Sequence, residues 1–171
     1  MSDATVSKSA QILASVAGLL LVVLSLWGLL KHGASLDVYK RMWQHIAERP
    51  GGPMSFRFIL QPTMAFLAAL HDGIKDARTG REPYLHKLLT RPHHLGENLS
   101  EALQATARIV LLALGMDTIY QATVLKTFYP GEMVLVALLL ALLPYILLRG
   151  PISRIARRWF AAKNSSPAAG G

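Results

Sequence analysis

The chain has 171 residues, of which 52% are hydrophobic and only 16% charged, with a formal net charge of +8 and no cysteine. A soluble domain carries about a quarter charged residues, so part of this chain is expected to be solvated by something other than water. The missing cysteines exclude disulfides, thiolate nucleophiles and thiolate metal sites, and the length suits one domain.

Four apolar runs follow one another. Residues 12–30, ILASVAGLLLVVLSLWGLL, contain no charge over 19 positions. A bilayer core of about 30 Å takes roughly 20 helical residues, and a cleaved signal peptide has a shorter apolar region, so this run predicts an uncleaved membrane helix. Next, SLDVYKRMWQHIAER predicts a surface helix over 36–48, capped by Ser35. Leu36, Tyr39, Met42, Trp43 and Ile46 would lie on one side and Lys40, Arg41, Gln44 and Glu48 on the other. PGGP at 50–53 ends it.

The second run, 54–70, is interrupted by Arg57, Gln61 and Pro62. Beside an unambiguous first span it reads as a kinked or tilted crossing helix, because proline is tolerated where neighbouring groups satisfy the freed carbonyl. The third run, 107–125, holds Asp117 near its middle. The fourth, 130–148, opens with Pro130 and Glu132, which suit a helix start, and Pro144 should bend it. The expected architecture is an all-α integral membrane protein. It is a four-helix transmembrane bundle with interfacial amphipathic helices, forming a single membrane domain over 1–163 and a disordered tail over 164–171.

Orientation follows from the basic residues. Lys8, five Lys or Arg in the 71–106 loop and five from Arg149 onward would share one side, eleven against five on the other. The positive-inside bias then places both termini and the 71–106 loop in the cytoplasm. The closing PISRIARRWF sets Ile152, Ile155, Ala156 and Trp159 on one face of a helix over 152–160. Arg149, Arg154, Arg157 and Arg158 would meet anionic lipid headgroups, or act as a basic stop that fixes topology.

An ionised aspartate at mid-bilayer costs on the order of 3 kcal/mol, so Asp117 needs a partner. Gln121 lies four residues on, along the same face. In an antiparallel second helix, Gln61 falls at the depth of Asp117, and Arg57 about one turn farther out. An Arg57–Asp117 pair supported by Gln61 and Gln121 is therefore expected. Its structural reading is a register device between helices; its functional reading is a proton or ion step.

HDGIKDARTGREPY, 71–84, is the most chemically varied loop segment. Asp72 and Asp76 share a helix face and repel unless a cation lies between them; with His71 they form a weak candidate for a divalent metal. No spacing matches a known metal motif, and RPHH at 91–94 reads as a proline-marked turn. DGIKDAR has one residue too many for the Asp-Gly-x-x-Ala-Arg motif of CDP-alcohol phosphotransferases. The downstream aspartates of that family are missing as well. Five basic and five acidic residues balance in the loop, which disfavours nucleic acid. The segments FRFILQPTMAFLAALHDGIKDARTGREPY, ATARIVLLALGMDTIYQATVLKTFYPGE and PYILLRGPISRIARRW resemble a group of small, uncharacterised bacterial inner-membrane proteins. The resemblance covers roughly 55–160. It implies a bacterial multi-pass membrane protein and supplies no catalytic residues.

The reading that results is a non-enzymatic accessory or scaffold component with no cofactor. It would bind anionic lipid, a protein partner or further copies of itself. The alternative is an oligomeric channel or proton-coupled or ion-coupled transporter using Asp117. A lipid-modifying enzyme built on His71, Asp72 and Asp76 comes third.

Overall fold

The computed structural model describes residues 8–33, 35–81, 84, 86 and 95–165, and among them every regular element is helical. Most of the loop from 82 to 90 falls outside the described residues. The turn at 91–94 and tail positions 166–171 also lie outside them.

Helix α1, Lys8–His32, is the uncharged first run extended by a turn at its start. Its last turn carries Lys31 and His32, which favour the negative end of the dipole. Gly33 ends it at φ 72, donating its N–H to Leu29 O at 2.8 Å, a left-handed stop that glycine adopts without strain. Helix α2 spans Leu36–Glu48, with Ser35 Oγ accepting from Val38 N. Arg49–Gly51 adds one tighter turn before the chain enters α3, Arg57–Arg78. Thus α3 begins three residues later than the second apolar run and continues well past it.

Helix α4, Leu95–Tyr120, runs without a break from the loop into the third apolar run and widens over Gln121–Leu125. Helix α5, Pro130–Ala137, starts on its proline, widens over Leu138–Leu142 and continues as α6, Leu143–Ser165. The wide turn sits just before Pro144, whose ring would clash with the carbonyl four residues back in a regular helix. The chain remains helical on both sides of this irregularity.

α1, α3, α4 and the joined α5–α6 alternate in direction. The start of α1, the end of α3, the start of α4 and the end of α6 share one end of the bundle, here the loop end. α2 lies at the other. α4 and α5 occupy the middle, with α1 against both and α3 along α6. The middle layer is built from small residues: Ala65 and Ala69 on α3, Ala102, Val110 and Ala113 on α4, Ala137 and Ala141 beyond. Such residues let helix backbones approach closely. The closest approach is at Gly28, where an added Cβ would stand 2.6 Å from Gly131 N. At Gly73 it would meet Ile152 Cγ2 at 2.7 Å.

Among the described residues three helices are long and apolar enough to cross a membrane: Lys8–His32, Leu95–Leu125 and Pro130–Ala162. α3 does not join them, because Arg57, Gln61, His71 and Asp72 dilute its apolar content. The expected separate amphipathic helix over 152–160 is instead the continuation of α6. Pro151 lies inside it, and Ser153 is buried. The packing of Ile152 against Gly73 holds this segment on α3, while Ile155 and Trp159 stay exposed.

Candidate functional site

Two polar networks occupy opposite ends of the bundle. At the α2 end, Asp117 of α4 is fully buried and accepts from two arginines. Arg57 Nη1 lies 2.9 Å from Asp117 Oδ1, and Arg49 Nη1 donates to the same oxygen. Gln121 Nε2 donates to Asp117 Oδ2 at 2.8 Å. The same Gln121 accepts from Tyr129 N at 2.6 Å and donates to Tyr129 O at 3.1 Å, tying the end of α4 to the start of α5. Arg49 also reaches Glu132 Oε2 at 3.0 Å, and His45 Nδ1 lies 3.0 Å from Glu132 Oε1. The guanidiniums of Arg49 and Arg57 stand 5.0 and 4.7 Å from the centre of the Tyr120 ring, whose face attracts cations.

Arg57, Asp117 and Gln121 are thus brought together, but Gln61 joins them only in depth. Its Nε2 faces Met116 Sδ at 3.8 Å, and its buried Oε1 has no hydrogen-bond partner among the described residues. Arg49, Glu132 and Tyr120 were not expected in the site. One signal pointed toward them: two carboxylates, Asp117 and Glu132, lie in or at the edge of apolar runs, whereas Arg57 is a single cation. A second buried cation was needed, and Arg49 follows directly on α2. The depth also differs from expectation. Asp117 lies in the layer where α3 and α5 begin, close to one end of the bundle rather than halfway along it.

At the loop end, Arg149 is the hub. Its Nε and Nη2 bind the two oxygens of Asp76 at 2.7 and 3.1 Å, a bidentate pairing. Nη2 also binds Glu101 Oε1 at 2.6 Å, and Nη1 donates to Tyr145 OH at 2.9 Å. Tyr145 in turn donates to Asp72 Oδ2 at 2.7 Å. The expected headgroup role of Arg149 is therefore corrected. Arg149 is 3% exposed, pairs with Asp76 and is linked to Asp72 through the Tyr145 hydroxyl. Arg154 and Arg158 are exposed and Arg157 is half-buried. His71 is exposed, while Asp72 and Asp76 are engaged with Tyr145 and Arg149. Among the described residues no group of three or more His, Asp or Glu is placed to hold a metal ion.

Tyr84 closes this network from the loop. Its OH donates to Asn98 O, and its ring lies 4.5 Å from the Arg149 guanidinium carbon. Burial, reinforced by the Glu101 carboxylate, pushes its phenol up to about 12, so it stays a donor well into the alkaline range.

Between the two networks the interior is the alanine-rich layer. Arg108, which lies on α4 between the two networks, is exposed and not part of this layer. Thr106, in this layer, donates to its own helix at Ala102 O. Chemically, each network can hold helices in register, and neither presents a free acid to a substrate. Comparison of the chain with protein-family models, curated proteins and solved structures finds no match.

Proposed function

We propose that the chain is a non-enzymatic integral membrane protein that crosses the membrane four times and serves as an accessory or scaffold component. The observation that carries this reading is the state of its acids. Asp117, Glu132, Asp76 and Asp72 are all held by arginine, histidine or tyrosine partners, and an apolar alanine layer separates the two sets. A transport relay needs titratable groups along a path, and a hydrolytic or transfer site needs a free base or metal.

Antiparallel α3 supplies the fourth crossing. Its polar ends fall in the two networks, and its middle, from Phe58 to Leu70, carries no charge. The exposed wall of α1, including Leu19, Val22, Leu26 and Leu30, suits lipid or a partner helix. α2, with Leu36, Tyr39 and Trp43 exposed, suits the interface. Basic residues concentrated at the loop end favour a cytoplasmic loop and termini, and the resemblance to small bacterial proteins favours the inner membrane.

An oligomeric proton path is the second reading. It is favoured by the string His45–Glu132–Arg49–Asp117, which reaches from a half-buried histidine to the buried aspartate. Two measurements separate the readings: proton flux in proteoliposomes and the intact mass of the detergent-purified assembly. The scaffold reading expects no flux above empty vesicles and a stoichiometric second protein or lipid. Flux that is abolished in Asp117→Asn would overturn it.

A further inference from the structure

At the α2 end, a cavity of about 250 Å³ opens between α1, α2 and α5. Its existence follows from glycine. The Gly28–Gly131 contact brings α1 and α5 together without side chains, and a Cβ on Gly131 would only reach Met42 Cε at 3.9 Å. The lower part is apolar, lined by Leu29, Val134, Leu135 and Leu138. The upper part carries Arg41 and Tyr129. From Tyr129 down to Leu138 the wall extends about 13 Å along the helix. Leu29 and Tyr39, 52% and 51% exposed, stand at the mouth.

Charge at this corner is unbalanced. Arg41, Arg49 and Arg57 face two carboxylates, Asp117 and Glu132. Arg49 and Arg57 form the ion pairs with those two; Arg41 lies within electrostatic reach of Glu132 but forms no ion pair of its own among the described residues. Arg41 stacks 4.8 Å from the centre of the Tyr129 ring, and its buried Nε has no hydrogen-bond partner among the described residues. Glu132 also borders the cavity, but its carboxylate is taken by Arg49 and His45. His32 is satisfied by Phe128 O at 3.3 Å. An apolar slot topped by a guanidinium without an ion pair of its own among the described residues fits a molecule with a single anionic head and a hydrocarbon chain. The slot sits where α1 ends and α5 begins, the headgroup level if α1 spans.

We propose that this cavity binds one anionic membrane phospholipid, with its phosphate on Arg41 and part of an acyl chain along Leu29, Leu135 and Leu138. The inference rests on the membrane reading above and names a ligand for it. The test is native mass spectrometry of the full chain, released from vesicles of equal phosphatidylglycerol and phosphatidylcholine. The wild type should retain one phosphatidylglycerol in preference to phosphatidylcholine. Arg41→Gln should reduce that retention about tenfold, the effect of losing one charge-assisted contact, and Arg41→Lys should restore part of it. Val38→Trp, which fills the slot from α2, should reduce retention of both lipids. Leu135→Phe replaces it if thermal melting shows that Val38→Trp is unfolded. Equal retention of the two lipids by the wild type overturns the site. So does Arg41→Gln, or the folded slot-filling variant, behaving like the wild type. Flux and assembly mass are read separately, so loss of the lipid site leaves the scaffold reading standing, and proton flux leaves the lipid result standing.

Discussion

The two ends of the bundle solve the same problem with opposite charge balance. At the α2 end two arginines share two carboxylates, with Arg41 in addition. At the loop end one arginine serves Asp76 and Glu101 directly and Asp72 through Tyr145. The centre of the first network is sealed, with Arg49, Arg57, Asp117 and Glu132 each at most 1% exposed, and only His45 at its edge, 24% exposed, reaches outward among its described members. The second borders the exterior through Glu101, whose side chain is 39% exposed. A buried charge left without its partner cannot be rescued by water, whereas one near the surface can. The same kind of ion pair therefore has different consequences at the two ends.

The largest effect is expected from Asp117→Leu, which strands Arg57 in the interior and leaves Arg49 with Glu132 alone. The loss should be about 3–5 kcal/mol, the range for breaking a buried pair, read as thermal unfolding in detergent. Asp117→Asn should lose less, because it keeps an oxygen acceptor. If Asp117→Asn and Asp117→Leu both melt like the wild type, the sealed network is not what holds α3 to α4.

Arg149→Met comes next. It leaves Asp76 unpaired, but Glu101 can turn to solvent, so the loss should fall at or below about 3 kcal/mol. Arg149→Lys should recover only part of it, since a lysine cannot reproduce the bidentate geometry. A loss larger than that of Asp117→Leu would reverse the comparison between the ends.

The smallest effect belongs to Gln61→Leu. Gln61 is buried with Oε1 unpartnered, so removing its amide should change stability by less than about 1 kcal/mol, in either direction. A substantial loss would mean that Gln61 belongs to the sealed network after all.

The polar site was partly legible before any coordinates. Asp117 and Gln121 share a helix face by spacing, and Arg57 reaches them through the antiparallel alternation of long apolar runs. Arg49 was harder to place, because it follows an amphipathic helix and looks like one more outside charge. Its burial depends on the tight turn Arg49–Gly51 folding back over the start of α3. Arg149 was misplaced for a related reason. Next to Arg154, Arg157 and Arg158 it looks like part of a basic end, and only the path of α6 along α3 sets it on Asp76 and, through Tyr145, in reach of Asp72. The segment 152–160 has the periodicity of a surface helix. Periodicity describes one face of a helix and cannot say whether that face meets lipid or another helix.

The sequence by itself determined the helical class, the uncharged length of the first run and the need of Asp117 for a cation. Those follow from local composition and from the high energy of charge in an apolar medium. Only the tertiary structure decided that Arg49 joins Arg57 at Asp117 and that Arg149 serves Asp76, that the two networks are kept apart by an alanine layer, and that a slot opens beside Arg41. Those outcomes depend on how closely helices approach at Gly28 and Gly73 and on where the wide turns re-aim them. Such distances are set by contacts between residues far apart in the chain.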